Sequence, residues 1–593
     1  MFRRINGFSK VTAIALAAAL SVSLLAGCGS SSSSTAASAA ASTAASTAAS
    51  TAASTGTSTA ASTSTESVAT VYTSGVNGIP TNVDASKVDD SANVVDGKST
   101  INVSCDMDPG TYDPALFGSV LGLEETGYCL REGLFERNAK GELVPEIAKS
   151  YSVDSDNLTY HIELYPNVHD SAGNAITASD VVFCYNRAKE KGFNSTGYYD
   201  SITADDDTHV TLKLNNTSDG IFPQVAQVIL IYSQKFFESC GDSFGTTAAT
   251  SVFTGPYKMT EWVSGTSITF EKNENYWQDI DTAIANGDVY AQQNVDKITF
   301  HIVGESTQLS IGLQTGTLDI VGNMSYNDAK QFMAGGESAD GFTVTPWEDS
   351  LSQVLYLNMD KSSPFYDNEN LRKAVMNCID IDDMIAGCLD GYGVACKTFG
   401  NSTIPDYQTK WDSEDYYKYD ADAAAKYASD SGYTGTLRIM CNNSSLHENM
   451  AQVLQGYLAA VGINSEILDY DGSLFQTYKY DPTQYDICLD QCAWSGDTVT
   501  KWRDQFDDAN AQGCQNSITD EKFFDLLHAA MDVTTYSPDT VDAFHQYLRD
   551  QCYARGLFNA VNFCVTKNVV TNVLMHRSGN LFPTGCKFVW NET

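Results

Sequence analysis

A two-lobed α/β protein is the fold class this sequence predicts, and three observations predict it. At 593 residues the chain exceeds one ordinary domain and has ample material for a core. Residues 437–440, a helical pattern ending at Gly462, and residues 463–467 form a strand–helix–strand unit, which calls for parallel strands. Further strand and helix patterns recur from Thr100 to the C-terminus, punctuated by Gly and Pro turns.

Composition narrows the partners. The 35 Lys and Arg face 74 Asp and Glu, a net charge of −39, which argues against nucleic acid and anionic lipid headgroups. The 31 Tyr, 26 Phe and 7 Trp supply core, and also suit a cleft that holds varied organic ligands.

Arg3, Arg4 and Lys10 precede an apolar run, residues 11–25, that is short for a membrane span. Leu25-Ala26-Gly27-Cys28 closes it and resembles a bacterial lipobox. Residues 1–27 then read as a lipoprotein signal peptide, with Cys28 acylated as the new N-terminus and the protein held at the extracytoplasmic face, cell surface or periplasm. Residues 28–98 read as a disordered tether. From 30 to 65 they are Ser, Thr and Ala apart from Gly56, and the whole reaches about 45 Å. Of 15 cysteines, removing Cys28 leaves an even 14, which permits disulfides but equally suits small buried hydrophobes.

In chain order, residues 101–103 read as a first strand and 158–164 as a half-buried one with period two. Thr177 and Asp180 form a capping box ahead of a helix carrying Val181, Val182, Tyr185 and Ala188. Gly255-Pro256 and Ser264-Gly265-Thr266 punctuate a hairpin in which Ile268 and Phe270 alternate. Residues 354–358 read as a strand, Arg372 as a structural ion-pair partner, and Asp420 to Gly432 as a capped helix. Ser445 and Glu448 look like a second capping box, ahead of Met450, Val453, Leu454, Tyr457, Leu458 and Val461 at helical spacing. Ser537-Pro538 opens another helix.

The stretch with the clearest chemistry is 485–497. Ile487, Leu489 and Cys492 or Ala493 make a mostly buried strand closed by Ser495-Gly496. Trp494 and Asp497 fall where that strand stops, the end at which open α/β sheets bind ligands. A carboxylate with a ring beside it can hold a small cation such as an ammonium group. The plainer alternative is a core Trp and a turn Asp.

Several blocks resemble one family, the extracellular solute-binding proteins of family 5, oligopeptide and dipeptide binders of ABC importers. They are Leu143-Val144-Pro145-Glu146, Asn167-Val168-His169-Asp170, Thr177 through Phe183, Thr254-Gly255-Pro256-Tyr257, and Asn275-Tyr276-Trp277. The family usually has Gly where this chain has Phe253. The resemblance implies a periplasmic-binding-protein-like fold of type II with an extra inserted subdomain and a hinge between lobes. Lobe one would comprise 99–117, 248–353 and 557–593, with 118–247 inserted, and lobe two 354–556. It implies capture of a peptide or peptide-like solute, delivery to an ABC permease with separate ATPase chains, and a monomer. Trp494-Ser495-Gly496-Asp497 resembles the family's Trp-x-x-Asp, so Asp497 would receive a peptide's α-ammonium and Trp494 line the pocket. Dipeptide binders carry an arginine for the ligand carboxylate near Cys441, and none lies between Cys441 and Met450 here, which points to longer peptides.

Enzyme readings find little support. The phosphate-cradling Gly-x-x-x-x-Gly-Lys is absent, and His447-Glu448 lacks a second zinc-protease histidine. No metal or cofactor is expected. The competing functional classes are a surface sensor or adhesion lipoprotein, a binder of another cationic or metal-chelate solute, and a secreted hydrolase.

Overall fold

The computed structural model describes residues 100–588 except 117–125, 138–142, 216, 218–219, 403–406, 494–497, 508–513, 572 and 576–580. Cys28 and the Ser/Thr/Ala segment lie outside the described residues.

Strand β1 (Thr100–Cys105) buries Ile101, Val103 and Cys105. A separate four-stranded antiparallel sheet follows, in the order Ala148–Val153, Thr159–Leu164, His209–Leu214, Tyr199–Ala204. Helix α1 (Ala178–Glu190) precedes its last hairpin and starts as the sequence predicts: the Thr177 N–H donates to Asp180 Oδ2 at 2.9 Å. Helix α2 (Ile221–Val228) comes next.

The hairpin β2 (Tyr257–Val263) and β3 (Ser267–Lys272) forms at its expected punctuation. Gly255 is needed there for space. A Cβ on it would sit 2.4 Å from the Leu130 carbonyl carbon. Tyr276 and Trp277 are likewise scaffold, since both donate to the buried Glu132 carboxyl at 2.6 and 2.8 Å. Glu132, Glu136, Glu146 and Asp288 form a buried acidic group. Burial pushes all four carboxyls up, Glu136 and Asp288 to about 7, and neighbouring acids push in the same direction on Glu136, Glu146 and Asp288.

The chain continues through β4 (Lys297–Ile302), α3 (Ser306–Thr315) and β5 (Ile320–Met324) into a long strand, β6 (Phe342–Leu357). Beyond it come α4 (Glu369–Cys378), β7 (Gly393–Ala395), β8 (Thr436–Asn442), α5 (Ser445–Ala460), β9 (Asn464–Tyr470) and β10 (Ile487–Ala493). Helices α6 (Thr498–Phe506), α7 (Glu521–Met531) and α8 (Pro538–Gln551) lead to β11 (Ala554–Lys567). The main sheet runs β9-β8-β10-β6-β11-β5-β1-β4-β3-β2, with β7 pairing β11 off this path. Strands β8 and β9 pair in parallel, as the strand–helix–strand pattern requires.

Two apolar cores sit on this one sheet. The first gathers β1 to β5 and the four-stranded sheet; the second gathers α4 to α8 and β8 to β10. β6 and β11 contribute buried residues to both. Val344 and Trp347 belong to the first core and Val354 to Leu357 to the second; Val561 to Val565 belong to the first and Ala554 to Phe558 to the second.

Two local readings are corrected. The cap of α5 is Ser444, whose Oγ accepts the His447 N–H at 3.3 Å. Ser445 already lies inside the first turn, so Glu448 falls one place beyond the box position. Arg372 is not an ion-pair partner. Its guanidinium donates to the carbonyls of Gln551, Phe365 and Tyr366 at 2.8, 2.8 and 3.2 Å, tying α4 to the loops around it. The fourteen cysteines from Cys105 to Cys586 are all free thiols. Among the described residues no helix is long and apolar enough to cross a membrane.

Candidate functional site

The place where β6 passes from one core to the other is irregular. Glu348 faces Val561 across the ladder, yet Ser352 faces Asn559, so three residues of β6 oppose one of β11. Such a bulge bends the strand and re-aims its side chains. On the other side of β6, pairing with β10 begins only at Leu351, opposite Ala493. The hinge between the cores and the end of β10 therefore coincide.

Polar groups cluster there. Asn559 Nδ2 donates to Glu348 Oε1 at 2.5 Å and Ser402 Oγ donates to the same oxygen at 3.4 Å. Ser352 Oγ donates to Asn559 Oδ1 at 2.5 Å, which fixes the Asn559 amide orientation. Asp349 is engaged differently: Oδ1 accepts the Leu351 N–H and Oδ2 accepts Asn562 Nδ2, both at 2.9 Å. Its carboxylate thus pins the bulge to β11. Glu348 keeps part of its surface although it stands deep between the cores. Burial, and secondarily the Asp349 charge, push its carboxyl up to about 7 against the pull of the two hydrogen bonds.

The two lobes touch again beyond the hinge. Helix α6 packs Val499, Trp502 and Phe506 into the second core. Its Arg503, 1% exposed, points across: the guanidinium lies 4.3 Å from the Tyr198 ring centroid and donates to Gln224 Oε1 at 2.7 Å. Tyr198 Oη donates to Asp504 Oδ1 at 3.1 Å, and Thr217 Oγ1 to Asp532 Oδ2 at 2.9 Å. Tyr198 packs against the first core, and Gln224 lies on α2, whose Ile221, Phe222 and Val225 belong to that core.

The four residues between β10 and α6 include Trp494 and Asp497, and both lie outside the described residues. Their flanks are described: Ala493 in register with Leu351, and buried Thr498 at the start of α6. Two side chains that sequence reading did not single out join this region, Glu348 and Arg503. For Glu348 a signal existed: Glu348 and Asp349 are the two adjacent charges of the crossing strand. For Arg503 none existed, because its partners lie far upstream in sequence. Asp490, on the buried strand itself, is neutralised by Lys479 at 3.0 Å and is structural. Among the described residues no group of three or more His, Cys, Asp or Glu is arranged to hold a metal ion.

Comparison with known proteins agrees with this architecture. Residues 142–507 match the family model "Bacterial extracellular solute-binding proteins, family 5 Middle". The chain is 25% identical over 349 residues to the glutathione-binding protein GsiB of Pectobacterium atrosepticum, covering 57% of this chain and 63% of that one. It is 22% identical over 443 residues to the oligopeptide-binding protein OppA of Bacillus subtilis, covering 68% and 76%. The structure of the oligopeptide-binding protein AppA of Bacillus subtilis in complex with a nonapeptide superposes with a TM-score of 0.66 at 16% identity, over 83% of this chain and 99% of that one.

Proposed function

Because this chain belongs to the bacterial extracellular solute-binding proteins of family 5, we propose that it captures a peptide-like solute, an oligopeptide longer than two residues, by closing two lobes around it, and hands it unaltered to an ABC permease driven by separate ATPase chains. The observation that carries the reading is the coincidence of hinge, polar bulge and β10 end, with a contact between lobes one helical segment further on. The relatives named for oligopeptides and glutathione support the ligand class. In this reading Asp497 takes the ligand ammonium and Trp494 stacks beside it. A closed, dry site strengthens that ion pair but removes hydration from both charges, so only a ligand with a well-placed cation recovers the cost. Residues 1–27 direct export, Cys28 carries the lipid, and 28–98 form the tether that lets a monomeric binding unit reach the permease. Lobe one is 99–117, 248–353 and 557–593, with 118–247 inserted, and lobe two is 354–556.

Peptide mixtures should raise the melting temperature of the purified protein, and Asp497→Ala should diminish the rise. An unchanged response in Asp497→Ala removes Asp497 from the site. No response to any peptide mixture contradicts the peptide reading itself. Deletion of the gene should abolish uptake of the peptides that stabilise the protein; retained uptake would favour a surface sensor on the same fold.

A further inference from the structure

We propose that Glu348 is a second cation-accepting residue of the binding cleft, which selects peptides carrying a lysine or arginine side chain; this rests on the peptide reading above. Three observations carry it. First, Glu348 stands at the bulge where β6 leaves the first core and next to the point where β10 ends, so it belongs to the wall shared by both lobes. Second, its hydrogen bonds from Asn559 and Ser402 both reach Oε1, so Oε2 is the oxygen left for a guest. Third, no Lys or Arg among the described residues pairs with it, whereas Asp490 on the neighbouring β10 has Lys479. Asp349 cannot take the same part, because both of its oxygens already hold the bulge.

An enclosed carboxylate is costly unless a cation completes it. A ligand ammonium or guanidinium does so in a charge-assisted hydrogen bond, and the planar fork of arginine suits the carboxylate best. The network behind Glu348 keeps it aimed. Ser352 holds Asn559, and Asn559 holds Oε1. A neutral side chain of the same length gains nothing at this position. Titration of the free carboxyl near neutral pH gives the proposal a second signature. The titratable groups that face Glu348 are Asp349 on its own strand, and the Cys396 thiol and Tyr407 phenol from the segment following β7, both pushed up by burial and so uncharged between pH 6 and 8. A cationic guest draws off the Glu348 proton, so its binding strengthens as pH rises from 6 to 8.

The test uses the full-length protein and two synthetic pools of random pentapeptides, identical except that one position is lysine in one pool and norleucine in the other. The proposal expects the lysine pool to bind wild-type protein at least tenfold more tightly than the norleucine pool, with the advantage growing between pH 6 and 8. Glu348→Gln should level the two pools at every pH, while the melting temperature of the unliganded variant, close to that of wild type, shows an intact fold. Equal binding of both pools to wild-type protein overturns the proposal, as does a lysine advantage that survives in Glu348→Gln; either result leaves the peptide reading standing. If neither pool binds wild-type protein, the peptide reading falls and the proposal with it.

Discussion

Replacing Arg503 by alanine should weaken ligand binding without touching the ligand. Arg503 sits on α6 of the second lobe, and its guanidinium bridges to Tyr198 and Gln224 of the first. A hydrogen bond from a charged group contributes about 1.5–3 kcal/mol, and a cation over an aromatic ring about 0.5–2 kcal/mol more. In the opened protein water replaces part of both, so the closed state loses about 2 kcal/mol relative to the open one. If only the closed state holds the guest tightly, that loss passes directly into affinity, a rise in Kd of about thirtyfold. Titration calorimetry with a peptide already shown to stabilise the protein measures the change, and small-angle scattering reports the lobe separation. Arg503→Ala should bind about thirtyfold more weakly, and its unliganded form, open in wild type too, should keep the wild-type radius of gyration. The melting temperature of the unliganded protein separates this from damage to the second core. Affinity within about twofold of wild type, with the fold intact, would refute the reasoning that these contacts bias closure.

Other outcomes follow from the same structure. Tyr198→Phe removes the hydroxyl that donates to Asp504 and keeps the ring under Arg503, so affinity should fall by about 1 kcal/mol, less than in Arg503→Ala, by the same calorimetry. The raised Glu136 carboxyl holds a proton in the folded protein, between about pH 4.5 and 7, that the unfolded chain has shed. Its contribution to stability is therefore present at low pH and lost as pH rises through about 7. Glu136→Gln should stabilise the protein at pH 8 by about 2 kcal/mol and have little effect at pH 5, read by chemical denaturation at both pH values. Buried His545 behaves oppositely. Burial depresses it to about 4, so the unfolded chain binds the extra proton between about pH 4 and 6.5 and stability falls as pH drops through that window. A buried, uncharged replacement such as His545→Gln should flatten that acid limb.

Much of the fold was legible because its signals are local. Asp420 and Gly432 bound a helix in the sequence, and they do so in the structure, with Asp420 capping Ala423 N–H and Gly432 in the left-handed region at φ +65°. The 257–272 hairpin announced itself through its turn, and the parallel pair β8 and β9 through the helix between them. Local signals also misled where two candidates stood side by side: Ser444 and Ser445 are equivalent on paper, and only the backbone at 444 is extended. The chemistry of the cleft was harder to see. Arg372 looked like a charge seeking a charge, but burial against carbonyl oxygens satisfied it instead. Arg503 meets Tyr198 and Gln224 across some 300 residues of sequence, a separation no periodicity encodes. Glu348 gains its meaning only from a register shift between β6 and β11.

The central claim is that two lobes close on a peptide-like guest and leave it chemically unchanged. Native mass spectrometry of the purified protein after exposure to a peptide mixture tests it most directly. The account predicts a stoichiometric non-covalent adduct that is released on denaturation with its mass and sequence intact, and that is lost in Asp497→Ala. A guest recovered cleaved or modified, or a protein that retains no peptide at all, would contradict it.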